Sequence, residues 1–142
     1  MNSAFRIWSS LVALAIIVQV GLAGYGAFNA VDKSDDNGTI GKDAVEHGFN
    51  GHVALGYIIF LVTIVLLVLA FLSRRPGAVG RVKWSGIVVG LMVLQILLAW
   101  AGDATPWLGI LHGMNALAVA AFAGTLAGRE WASYRGGVPS PA

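Results

Sequence analysis

Four long apolar runs, separated by short stretches that hold nearly all the charge, constrain this sequence more than any other feature. A hydrocarbon core of about 30 Å takes roughly 20 apolar residues in a helix. The runs cover about 7–29, 45–72, 84–101 and 107–127. No charged residue stands between His52 and Arg74, and none between Asp103 and Arg129. Inside lipid every backbone amide must be satisfied within its own segment, so such runs fold as helices. The expected fold is all-α: an integral membrane up-down four-helix bundle, its short connections making consecutive helices antiparallel neighbours. Residues 1–135 are expected to form one domain, and 136–142 a disordered tail.

Composition agrees. Hydrophobic residues make up 57% and charged residues 11%, where a soluble domain carries about a quarter charged. Mean hydropathy is +0.76. The net charge is only +2, and the basic residues fall between the runs, so the balance reflects topology and no nucleic-acid partner is implied. The absence of cysteine removes disulfides, iron–sulfur clusters, thiolate zinc sites, covalently attached haem and cysteine nucleophiles together.

Arg6 before the first run gives it the look of a signal peptide. Its apolar stretch exceeds the ~7–15 residues of a signal sequence, and no small-x-small cleavage site follows, so it is expected to remain as a span. Arg74, Arg75, Arg81 and Lys83 lie between the second and third runs, and Arg129 and Arg135 follow the fourth. Asp32 to Glu46 is acidic, and Asp103 lies in the last short connection. The bias of basic residues toward the cytoplasm puts both termini and the middle loop inside. Trp8, Trp84 and Trp131 then mark the inner interface, and Trp100 and Trp107 the outer one. The outer stretch Asp32 to Gly38 has acidic spacing but fails the calcium-loop pattern in the place of its glycine and in lacking a glutamate at position twelve. It reads as a solvated turn.

The spans carry a repeat. Gln19, Leu22, Ala23 and Gly26 recur in register as Gln95, Leu98, Ala99 and Gly102. His47-Gly48-Phe49-Asn50 is echoed by His112-Gly113-Met114-Asn115. A duplicated helical hairpin is the reading that accounts for both pairs, related by an axis along the membrane normal.

Ionisable and polar residues within spans default to functional hypotheses. All three histidines lie toward the outer ends of the second and fourth runs. At 1.5 Å per residue, His52 lies roughly 9 Å inward from Glu46, and His112 roughly 9 Å inward from Pro106. Imidazoles at equal depth on two parallel helices suit the two axial positions of one haem iron. His47 sits at the rim by depth, yet the repeat aligns it with His112, so either His47 or His52 remains the partner ligand. Five residues separate them, about 140° around a helix, so they share no face for a compact metal site. Gly56 and Gly48 flank His52, Gly109 and Ala116 flank His112, and Gly24 lightens the first span, leaving space for a flat ring. Close helix packing is the other use of such residues. Gln95 lies at the same depth, either supporting a ligand or bonded to the first span.

The run His52-Val53-Ala54-Leu55-Gly56-Tyr57, the helix bearing Gln95-Ile96-Leu97-Leu98 and the fourth span with His112 together resemble one four-helix half of haem A synthase. The chain is also similar to a group of small four-helix bacterial membrane proteins. The haem A synthase resemblance covers the second to fourth spans. It implies a scaffold in the bacterial cytoplasmic (inner) membrane whose second and fourth helices carry a histidine pair, here His52 and His112. The chain departs from that family's enzymatic half. Phe49 stands where the family has a glutamate, Val53 where it has an arginine, and the outer cysteine pair is missing. Haem A synthesis therefore does not carry over.

The expected function is that of a b-type cytochrome-like protein holding one haem b, with His52 and His112 as metal ligands, near the outer face. It would serve electron transfer, with a quinone partner or as a subunit of a larger membrane redox complex. No acid–base dyad, nucleophile triad or phosphate loop points to independent catalysis. The alternative is a cofactor-free accessory subunit whose histidines act as polar glue between helices.

Overall fold

The computed structural model describes residues 2–35, 37–73 and 78–136. Four helices account for almost all of them: α1 (Asn2–Asp32), α2 (Lys42–Leu72), α3 (Ala78–Ala104) and α4 (Pro106–Gly136). No strand occurs among the described residues. All four helices are long and apolar enough to cross a membrane. Asp36, Arg74, Arg75 and the expected tail from 137 onward lie outside the described residues.

The helices outrun the apolar stretches. Three are 31 residues long, about 46 Å at 1.5 Å per residue, against about 30 Å of hydrocarbon. Arg81, Lys83, Arg129 and Arg135, expected in connections, lie in the end turns of α3 and α4. Gly136, assigned to the tail, is the last residue of α4.

Most of the apolar surface faces outward. Phe28, Ile17, Trp107 and Leu117 are each more than 60% exposed. A water-soluble monomer does not display apolar area on this scale, and such a surface is compatible with lipid contact. Because apolar residues surround each helix, no polar face marks which side meets a neighbour.

The chain divides into two compact units, one of Leu14–Ile59 and one of Met1–Ala13 with Phe60–Ala142. In the first, α1 and α2 run antiparallel and touch backbone to backbone. A Cβ on Gly48 would stand 2.7 Å from the carbonyl oxygen of Gly26, and a Cβ on Gly26 would stand 2.8 Å from the Phe49 ring. Only glycine allows that approach. The connection between these helices is a tight turn. Asp35 accepts hydrogen bonds on one carboxylate oxygen from the amides of Asn37 (3.0 Å) and Thr39 (2.7 Å). Gly38 adopts φ 77° there, a conformation open to glycine at no steric cost. One oxygen of the Asp35 carboxylate is thus engaged by its own loop.

In the second unit, α3 and α4 form an antiparallel hairpin joined through Thr105, with Pro106 at the first helical position, where its missing N–H costs nothing. The first turns of α1 and the second half of α2 belong to the same unit. Phe5, Val12, Leu66, Val88 and Leu126 are its buried apolar core. Ser9, Thr63 and Ser73 are buried too, their hydroxyls donating to the carbonyls of Arg6, Phe60 and Leu69, three or four residues earlier in the chain. Trp8 Nε1 donates to the Val62 carbonyl at 3.2 Å, tying α1 to α2 at this end.

The unit also holds a buried ion pair. Arg81 Nε and Nη2 donate to the two carboxylate oxygens of Glu130 at 2.8 and 2.6 Å. The side chains are only 10% and 3% exposed, and the guanidinium lies 4.9 Å from the Phe5 ring centre. The forked geometry satisfies both partners at once, which is what makes a buried pair tolerable. Near it, Arg6 stacks on Tyr134 at 3.7 Å and on Trp131 at 4.8 Å, and the Trp131 indole donates to Ser10 Oγ at 2.8 Å.

Candidate functional site

Two histidine centres occupy corresponding places in the two hairpins. In the first, His52 Nδ1 lies 3.1 Å from the backbone oxygen of Gln19. A carbonyl can only accept, so Nδ1 carries the proton. In return, the Gln19 side-chain amide donates to the His52 carbonyl at 2.7 Å. The same exchange joins α3 to α4. His112 Nδ1 donates to the Gln95 backbone oxygen at 3.0 Å, and Gln95 Nε2 donates to the His112 carbonyl at 3.1 Å.

The glycine contacts follow the same pattern. Seven residues after Gln19, Gly26 meets Phe49, three residues before His52. Seven residues after Gln95, Gly102 meets Gly109, three residues before His112; a Cβ on Gly102 would lie 3.5 Å from the Gly109 nitrogen. By hydrogen bonds and close contacts alike, His52 corresponds to His112. The short His-Gly-x-Asn echo that paired His47 with His112 is displaced from this geometry by five residues. His47 is exposed at the end of α2, and the hydrogen bonds that mark the other two histidines do not include it.

The centres then differ in what each glutamine side chain meets. Gln95 Nε2 also lies 3.0 Å from His112 Nε2, which in this tautomer accepts. Asn115, three residues after His112, donates from its amide to Gln95 Oε1 at 2.6 Å and to the Leu91 carbonyl at 2.9 Å. Every polar atom of the Gln95 amide is therefore occupied. In the first hairpin Leu55 stands three residues after His52, and Gln19 Oε1 is buried with no hydrogen-bond partner. Rotating the Gln19 amide would set its oxygen against the His52 carbonyl, so its orientation is settled by the 2.7 Å bond.

The glycines named from the sequence divide by environment. At Gly56 a Cβ would lie 3.0 Å from Gln19 Nε2, and at Gly48 it would meet Gly26, so both spaces are filled. Gly24 and Gly109 have nothing within 4 Å of a Cβ position and are exposed. Gln95 bonds to α4, not to α1 as one reading of the sequence had it. Gln19, Asn115 and the Arg81–Glu130 pair were not assigned roles from sequence. The recurrence of Gln19 and Gln95 held the signal for the first. A carboxylate among basic residues near a span end was the signal for the last.

No group of three or more histidine, aspartate or glutamate side chains is arranged to hold a metal ion among the described residues. No protein-family model, curated protein or solved structure matches the chain.

Proposed function

We propose that this is a b-type cytochrome-like membrane protein that binds haem b through His52 and His112. The observation that carries this reading is the Nδ1–H bond from each of these rings to a main-chain oxygen. A ring held in that way keeps its lone pair on Nε2, the nitrogen a metal takes, with tautomer and orientation already set. Haem, when bound, supplies one-electron chemistry that no side chain of this chain provides. His52 and His112 would hold it. A Cβ at Gly24 or at Gly109 would meet nothing within 4 Å, whereas at Gly56 the Gln19 amide fills the space.

The wider reading follows. The hairpins descend from one duplicated unit, in the register that equates Gln19 with Gln95 and His52 with His112. The bundle lies in the bacterial inner membrane with both termini inside, and a quinone or a larger redox complex is the partner.

One observation favours the second reading, a cofactor-free accessory subunit. Gln95 Nε2 already lies against His112 Nε2, so in the second hairpin the polar groups satisfy one another as interhelical glue. An absorption spectrum of the purified protein separates the two. Haem ligation gives a Soret band with sharp α and β bands on reduction; His52→Ala and His112→Ala each abolish or shift them, and His47→Ala leaves them. A colourless protein that leaves the spectrum of added ferric haem unchanged favours the accessory reading.

A further inference from the structure

The start of α1 and the last turns of α4 hold a guanidinium between them. Arg6 Cζ lies 3.7 Å from the Tyr134 ring centre and 4.8 Å from that of Trp131. The frame is itself tied down. Trp131 Nε1 donates to Ser10 Oγ at 2.8 Å, and Ser10 Oγ donates to the Arg6 carbonyl at 3.0 Å. The Trp131 and Tyr134 rings meet edge to face at 5.9 Å. Stacking occupies the faces of a guanidinium and leaves its N–H edges for an acceptor. Among the described residues no oxygen accepts from the Arg6 side chain, and its Nε is buried without a partner. Arg81 is the contrast, since it takes both carboxylate oxygens of Glu130. Glu130 is the only acidic residue among the described residues at this end of the unit, against Arg6, Arg81, Lys83, Arg129 and Arg135. No protein carboxylate is left to neutralise Arg6.

We propose that Arg6, framed by Trp131 and Tyr134, binds the headgroup phosphate of an anionic phospholipid. This is independent of the haem reading and needs only that the helices lie in a membrane. Phosphate is the anion that a bilayer holds at the depth where a span ends, and a guanidinium fork matches two of its oxygens. With Nε shielded, the two terminal nitrogens offer that fork. Tryptophan and tyrosine favour the same depth. Trp131 and Tyr134 are exposed, and so are Ile7 and Leu11 on α1 just beyond Arg6. The apolar surface that acyl chains need therefore adjoins the charge. The surrounding cations draw anionic headgroups ahead of zwitterionic ones, and Arg6 fixes where the phosphate sits. Inorganic phosphate offers the same oxygens without the chains, and the experiment separates the two.

The full chain in dodecyl maltoside micelles is titrated with phosphatidylglycerol, phosphatidylcholine or inorganic phosphate at physiological salt. A ligand of the folded state raises the thermal midpoint with its concentration, which yields a dissociation constant. The wild type should bind phosphatidylglycerol roughly tenfold more tightly than phosphatidylcholine, and inorganic phosphate should leave the midpoint unmoved. Arg6→Gln should weaken phosphatidylglycerol binding by roughly tenfold, the weight of one charge-assisted bond. Lys83→Gln, which removes an exposed charge from the same end, should weaken it by no more than about twofold. Arg6→Lys keeps the charge and loses the fork, and should bind about threefold more weakly than the wild type. Equal losses in Arg6→Gln and Lys83→Gln would show diffuse attraction without a site and overturn the proposal. So would Arg6→Gln binding as the wild type does. An equal rise with inorganic phosphate would assign the site to a soluble anion and overturn the lipid. If Arg6→Gln does not fold, Arg6→Lys decides: phosphatidylglycerol binding unchanged from the wild type refutes the forked site.

Discussion

Gln19 and His52 bond to each other twice across the first hairpin, side chain to main chain in both directions, at 2.7 and 3.1 Å. Gln95 and His112 do the same, and add a third bond between their side chains. The count of bonds carried by each glutamine side chain differs, and this has a measurable consequence.

Gln19→Leu removes one side-chain bond, to the His52 carbonyl. Gln95→Leu removes three: two to His112 and one from Asn115. Interhelical hydrogen bonds in membrane proteins average about 0.6 kcal/mol. Gln19→Leu should cost about that, and Gln95→Leu about 2 kcal/mol by the same figure. Unfolding in mixed micelles measures both; equal losses would show that the third bond and the Asn115 contact contribute nothing.

The Arg81–Glu130 pair should show the asymmetry of buried charges. Glu130→Ala leaves a guanidinium buried against Phe5 and should cost about 3–5 kcal/mol. Replacing both residues, as Arg81→Met with Glu130→Leu, should cost far less than either single change. A double variant less stable than Glu130→Ala would mean that the pair is a net source of stability.

Glycine substitutions should sort by what their Cβ would meet. Gly48→Ala directs a methyl at the Gly26 carbonyl, which is backbone and cannot yield without parting the helices. A loss of about 1–3 kcal/mol is expected, the usual range for overpacking. Gly24→Ala meets open space and should be neutral or slightly stabilising, since alanine favours the helix. Thermal midpoints in one detergent give the ranking, and equal midpoints would refute the close contact.

The orientation drawn from the basic residues is tested by single cysteines in this cysteine-free chain. Thr39 in the α1–α2 turn and Ala132 in the last turns of α4 are both exposed. In intact cells an impermeant thiol reagent should label Thr39→Cys and spare Ala132→Cys. The reverse pattern inverts the topology. Ser73, at the end of α2, is a poor choice for such a label because it is buried.

The four helices were legible because crossing lipid leaves so few alternatives: apolar length alone named each of them. Their ends were not. Arg81 and Arg129 read as loop charges, yet α3 and α4 continue beyond their apolar runs, because backbone hydrogen bonds do not require apolar side chains. Glu130 could not be given to Arg81 from sequence, since the two lie 49 residues apart and apolar residues all round each helix hide which faces meet. The histidines stood out because charge-capable groups are scarce in spans. The glutamines were visible as a repeat, and Gln95 as a group able to support a ligand; Gln19 was not read as a partner of His52. A motif of four letters pointed to His47, whereas a contact between helices depends on depth, and depth favours His52.

The ring nitrogens of His52 and His112 are bonded to main-chain oxygens, and this has a bearing on how such a centre tolerates sequence drift. The side chain at position 19 or 95 can change without turning either imidazole, because the acceptor belongs to the helix and every residue brings one. The aim of the rings is inherited from the path of α1 and α3. A descendant of this chain could lose both glutamines, and with them the repeat that made the hairpins recognisable, and still present two imidazoles in the same tautomer. Kinship of that kind would be found by comparing how helices cross and not by comparing letters.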